Sequence, residues 1–173
     1  MKKWLPSFLM FFLLQYAYCQ EIKDVFNIAR KGTREQIQEF FKSNPNAINS
    51  VDSNGFTALI LACYKGNNEV AKFLIENGCD VNYKSEMGTA LMAASVKGNV
   101  EMINILLDKK ADINGIDYNG LTALMLAVKF GNEQVIHVLL QNKADKTKID
   151  TQGKTAFEYA VLSGNEEIIT LLK

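Results

Sequence analysis

Three short segments of the chain carry the oxygen-rich spacing of a cation loop: Asp52-Ser53-Asn54-Gly55, Asp117-Tyr118-Asn119-Gly120 and Asp150-Thr151-Gln152-Gly153. A calcium loop of the EF-hand type needs oxygen ligands at its first, third and fifth positions, Gly at the sixth and Glu at the twelfth. With Gly120 as the sixth position, the first is Gly115 and the twelfth is Leu126; with Gly55 they are Ser50 and Leu61. The outer ligands are missing in both, so the segments predict turns. In a turn the Asp bonds nearby backbone amides and the Gly takes a positive φ. His137 is the single histidine and shares its register position with polar Lys72, Asn104 and Thr170. Proton transfer would need an orienting partner and a pocket, and neither is indicated. Cys63 and Cys79 lie sixteen residues apart, without the C-x-x-C spacing of a redox pair and with too few companions for zinc. They read as small core side chains; a bridge between them, or a thiol-redox role, is the alternative. No nucleophile elbow, phosphate loop or dinucleotide fingerprint is present. No catalytic, metal or cofactor-binding residue is expected, and the chain reads as a non-enzyme.

The elements that hold these turns repeat. Thr57-Ala58-Leu59, Thr89-Ala90-Leu91, Thr122-Ala123-Leu124 and Thr155-Ala156-Phe157 recur at spacings of 32, 33 and 33 residues. Each is followed by a Gly-Asn pair: Gly66-Asn67, Gly98-Asn99, Gly131-Asn132 and Gly164-Asn165. Asp80-Val81-Asn82 and Asp112-Ile113-Asn114 close two units, and Asp145-Lys146-Thr147 is a degraded third copy. The Thr hydroxyl suits a helix N-cap, the Gly a left-handed helix end, and Asn67 the cap of a second helix. Val70, Ala71, Leu74 and Ile75 then fall at helical spacing as a buried stripe. One such unit cannot bury its stripe alone; stacked neighbours can.

The period near 33, the D-x-x-G-x-T start, the T-A-L helix and the terminal D-V-N resemble the ankyrin-repeat family across roughly residues 22–173. The resemblance implies an all-α solenoid of stacked helix-turn-helix units with hairpin-like finger loops. The units run from about 22–51 as an N-terminal cap, through 52–84, 85–116 and 117–149, to 150–173 as a C-terminal cap. Three departures stand out. Ala58, Ala90, Ala123 and Ala156 replace the family's Pro. The unit starting at Ser85 lacks one residue between Gly88 and Thr89, which predicts a displaced finger. Lys110 and Lys143 stand where Gly78 ends its helix, and a non-glycine residue at positive φ costs on the order of 1 kcal/mol.

The first residues read separately from this domain. Lys2 and Lys3, the apolar run Phe8–Leu14 and Ala17-Tyr18-Cys19 resemble a secretory signal peptide over 1–19, cleaved between Cys19 and Gln20. Lipid attachment at Cys19 is the minor alternative. The expected mature chain, 20–173, contains no membrane span and is periplasmic or secreted. The formal net charge of zero gives no broad pull toward nucleic acid.

The resemblance also implies what the surface does. Ankyrin-like solenoids hold protein partners through finger tips and the exposed side of the first helices. Carried over by position, that surface contains Phe56, Tyr64, Lys65, Met87, Val96, Lys97, Tyr118, Asn119, Leu121, Lys129, Phe130 and Lys154. Phe56 and Leu121 share the slot before the Thr, where tucking between units competes with exposure. The expected function is a monomeric, exported protein-binding module. An exported effector or immunity-type binder of a host or rival protein is the alternative.

Overall fold

The computed structural model describes residues 24–173. The expected leader over 1–19, with Cys19 and Gln20 at its cleavage point, lies outside the described residues. Ten α-helices follow in chain order: α1 Val25–Lys31, α2 Arg34–Ser43, α3 Ala58–Lys65, α4 Asn68–Glu76, α5 Ala90–Lys97, α6 Val100–Asp108, α7 Ala123–Lys129, α8 Glu133–Gln141, α9 Ala156–Ser163 and α10 Glu166–Leu172. Consecutive pairs form five helix-turn-helix units. The first helices pack in sequence order, α1 on α3, α3 on α5, α5 on α7 and α7 on α9. The second helices pack behind them.

Each helix begins for a local reason. Thr57, Thr89, Thr122 and Thr155 each accept the N–H three residues on, closing the first turns of α3, α5, α7 and α9. Thr33 and Gln36 make a reciprocal capping box before α2. Asn67 and Asn99 cap α4 and α6. Asn132 departs from that pattern. Its side chain makes no cap bond, and its Nδ2 donates instead to the carbonyls of Ser95 and Val96 in the previous unit.

The core is built on alanine. Ala58 and Ala62, Ala90 and Ala94, Ala123 and Ala127, Ala156 and Ala160 are each no more than 1% exposed. Residues four apart share one helix face, so four of the five first helices carry two small buried side chains on one face, while α1 carries Val25 and Ala29. Leu59, Leu91 and Leu124 fill the space beside them. The second helices contribute Val70, Leu74, Met102, Leu106, Ile136 and Leu139, all fully buried. In the N-terminal unit Ile37 is buried, whereas Phe40 and Phe41 are only partly covered. Phe41 stacks on Phe73 of α4 with ring centroids 6.0 Å apart, and Arg34 lies over that ring.

The helix ends at Lys110 and Lys143 carry the backbone strain that their register predicts: both have φ of 65°. Each still closes the helix end. Lys110 N–H donates to the Leu107 carbonyl and Ala111 N–H to the Leu106 carbonyl, both at 2.9 Å. Lys143 and Ala144 repeat this on Leu140 and Leu139. Gly78 serves the same turn at φ 80° without a Cβ. Replacing Lys110 or Lys143 by Gly is expected to stabilise the chain by about 0.5–1 kcal/mol each. A rise in the urea midpoint at unchanged m-value is the measurement that checks this, and a fall at both sites contradicts it.

Candidate functional site

The aspartates of the three full-length fingers are structural. Asp117 Oδ1 accepts the N–H groups of Asn119 and Leu121, both at 2.8 Å. Asp52 Oδ1 does the same for Asn54 and Phe56, and Asp150 Oδ1 for Gln152 and Lys154. Gly55, Gly120 and Gly153 take φ of 75°, 77° and 74° at the tips. Two of the three remaining oxygens are engaged as well: Arg30 pairs with Asp52 Oδ2 at 2.9 Å, and the Tyr159 hydroxyl donates to Asp150 Oδ2. The segments with cation-loop spacing are therefore turns closed by their own amides.

The fingers are laced together. Tyr118 N–H donates to the Glu86 carbonyl at 3.0 Å, and Thr151 N–H to the Asn119 carbonyl at 2.9 Å. Gly120 is needed for this approach as well as for its φ, since a Cβ there would lie 3.1 Å from the Asp150 backbone. On the other side of the loops, Asn49, Asn82 and Asn114 each accept the N–H of Asp80, Asp112 and Asp145 in the following unit, at 2.7–2.8 Å. The second finger is short, as its missing residue predicts. Ser85 and Gly88 exchange backbone hydrogen bonds directly, and Ser85 Oγ donates to the Gly88 carbonyl. Among the described residues no backbone bond joins this finger to the first. An open cleft of about 690 Å³ separates them, lined by Asn54, Phe56, Tyr83, Lys84, Glu86 and Met87.

On this frame stand the side chains predicted to meet a partner. Tyr118 is 79% exposed, Met87 70%, Phe130 58% and Tyr64 53%. Lys65, Lys97, Asn119 and Lys129 are exposed too, while Val96 and Lys154 are half-covered. Two residues are placed differently. Leu121 is only 7% exposed and belongs to the core. Phe56 is partly buried against that core. Both sit one residue before the capping Thr, where the chain turns inward, so the slot serves packing between units and Leu121 is no contact residue.

Tyr159 was not among the expected site residues. Its register equivalents Leu61, Ala93 and Leu126 are apolar, which hides it. Its hydroxyl is pushed up to about 12 by the hydrogen bond to Asp150. The same bond holds the Asp150 carboxyl below the usual carboxylate range. Lys129 Nζ stands 4.7 Å from the Tyr159 ring centroid, and Lys154 Nζ 5.8 Å.

The environment of the cysteines does not favour redox chemistry. Cys63 and Cys79 are both free and buried. Burial pushes the Cys63 thiol far above its ordinary value and Cys79 up to about 12. The thiolate needed for exchange is thus suppressed, and the thiol-redox alternative has no support. His137 lies exposed on α8.

Because Asp117 satisfies two backbone donors, Asp117→Ala is expected to destabilise the chain by about 2–3 kcal/mol. Calcium is expected to leave the melting temperature of the unaltered chain unchanged. A calcium-dependent rise of several degrees, lost in Asp117→Ala, would contradict the turn assignment.

Comparison with known proteins agrees with this geometry. The family described as ankyrin repeats matches residues 25–117 and 114–173. An acyl-CoA-binding domain-containing protein 6 homolog of Dictyostelium discoideum is 49% identical over 47 residues, 27% of this chain and 16% of that protein. The human NAD-capped RNA hydrolase NUDT12 is 36% identical over 62 residues, 35% of this chain and 13% of the hydrolase. The ankyrin repeat and KH domain-containing protein mask-1 of Caenorhabditis elegans is 41% identical over 61 residues, 35% of this chain and 2% of that protein. The chain thus matches only a small part of each relative's length. With repeats matched over almost all of the described residues, and with five stacked helix pairs and their fingers in place, the chain belongs to the ankyrin-repeat family.

Proposed function

We propose that the chain is an exported, non-catalytic binding module that holds a protein partner against its fingers and the exposed side of its first helices. Ankyrin repeats imply a protein-interaction role at the coarse level. The observation that carries the finer reading is the set Tyr64, Met87, Tyr118 and Phe130, each more than half exposed on a scaffold in which, among the described residues, no buried side-chain polar atom lacks a partner. Aromatic anchors beside lysines are the composition of an interface, and clustered exposed apolar side chains mark a contact surface. Among the described residues no helix is long and apolar enough to cross a membrane, and no three His, Cys, Asp or Glu side chains gather as a metal set.

The partner surface is tested by affinity capture with the tagged full chain, alongside a variant carrying Tyr64→Ser, Tyr118→Ser and Phe130→Ser. A protein retained by the first and reduced about tenfold or more with the second is expected, as for loss of aromatic anchors. Equal recovery would move the site off this surface.

Export rests on the Lys2-Lys3 start, the Phe8–Leu14 run and the Ala17-Tyr18-Cys19 ending. The mass of the protein recovered from its producing cells is expected to correspond to a chain beginning at Gln20. A mass that includes residues 1–19 would sink that assignment, and a lipid-bearing Cys19 would replace it with the anchored form.

A further inference from the structure

The formal net charge of zero conceals a separation of charge between the two helix rows. The five first helices carry five basic residues, Arg30, Lys31, Lys65, Lys97 and Lys129, against one acidic residue, Glu158. The five second helices carry nine acidic residues and three basic ones. The pairing differs in the same sense. All three basic residues of the second row are in ion pairs, Arg34 with Glu76, Lys42 with Glu39, and Lys72 with Glu69 and Glu101. In the first row only Arg30 is paired, to Asp52. Lys31, Lys65, Lys97 and Lys129 meet no carboxylate within ion-pair distance among the described residues, and all four are exposed. Glu158, the one acidic group in the row, is turned back onto Thr155 by its capping bonds.

The four lysines stand at the C-terminal ends of successive first helices, one per unit. Each helix end carries about half a negative charge, which offsets only part of the full charge of its lysine. Aromatic side chains are interleaved: Lys65 Nζ lies 5.4 Å from the Tyr64 ring centroid, Lys129 reaches the Tyr159 ring, and Phe130 follows Lys129 exposed. The row therefore carries charge of one sign with aromatic side chains beside it, Lys65 and Lys97 standing eight residues after their capping Thr and Lys129 seven after its own.

We propose that the segment bound along the first-helix row is an acidic, extended stretch of a protein partner, its carboxylates meeting Lys31, Lys65, Lys97 and Lys129 and its apolar side chains meeting Tyr64 and Phe130. This rests on the binding-module reading above and adds the chemistry of the partner. Charge complementarity selects the sign. Spacing selects the class. Packed helices lie about 8–10 Å apart, and a chain in the extended polyproline II conformation returns the same face every three residues after about 9 Å, so carboxylates at every third position match one lysine per unit. A nucleic-acid strand carries a charge about every 3.4 Å, far denser than this stripe.

The test is fluorescence anisotropy of the full chain with a labelled peptide of about 12 residues, long enough to span four units at ~3.1 Å per residue. The peptide carries Glu at every third position and Leu or Tyr between. Its Gln counterpart and a single-stranded DNA of equal length are the comparisons. The Glu peptide is expected to bind about tenfold or more tightly than the Gln peptide at low salt, with the gap closing as salt rises. Lys65→Glu, Lys97→Glu and Lys129→Glu together are expected to remove the preference. The same reversals at Lys42, Lys109 and Lys143 are expected to keep it, and thermal melts confirm that each variant is folded. Equal binding of both peptides, lost with Tyr64→Ser and Phe130→Ser, would overturn the acidic partner and leave the binding module standing. Binding of neither peptide would overturn the acidic partner as well. DNA bound more tightly than the Glu peptide through the same lysines would replace the peptide with a nucleic acid.

Discussion

Close approach of the first helices is the constraint on which everything else depends. It is served by the alanine pairs Ala58/Ala62, Ala90/Ala94, Ala123/Ala127 and Ala156/Ala160, small side chains that are each no more than 1% exposed. A larger residue at any of them would force the helices apart and break the bonds between fingers, because interiors packed at this density do not absorb extra methylenes. Burial of the second-helix stripes and the bridges from Asn49, Asn82 and Asn114 to the next unit all assume that spacing. Stability in such a stack is a sum over neighbouring units, and the alanines set the distance over which each term is made.

The scaffold uses its polar chemistry on itself. Finger aspartates bond their own amides, capping threonines close helix ends, and no buried side-chain polar atom among the described residues lacks a partner. What is left over for other molecules is found outside this network: exposed aromatics, and lysines with no carboxylate opposite them. The division of labour explains why residues that look chemical in the sequence prove structural, while a surface with no motif at all carries the functional argument.

How much of this was readable in the sequence depended on whether the cause was local. The 32- to 33-residue period, the capping residues, the turn role of Asp52, Asp117 and Asp150 and the strained ends at Lys110 and Lys143 are fixed within a few residues of themselves. Each was accessible to register comparison alone. Features that require two units at once were not. The bonds from Tyr118 to Glu86 and from Thr151 to Asn119 have no signature, because backbone groups carry none. Tyr159 is concealed by apolar equivalents, and its meeting with Asp150 depends on how the finger folds back on α9. Separation of charge between the helix rows vanishes in a net charge of zero and emerges only when residues are sorted by helix. Leu121 shows the converse: an apolar residue in a loop reads as surface until the turn that buries it is known.

The short second finger has a consequence for how this chain can change. Its missing residue alters the loop and opens a cleft, yet α3 and α5 on either side pack more extensively than any other pair of first helices. Helix stacking and finger length are therefore uncoupled. Insertions and deletions at the finger tips reshape the surface without disturbing the spine, whereas the same change inside a helix would rotate an alanine out of register. Over evolutionary time, recognition in this protein is free to drift by loop length while its architecture is held by side-chain size.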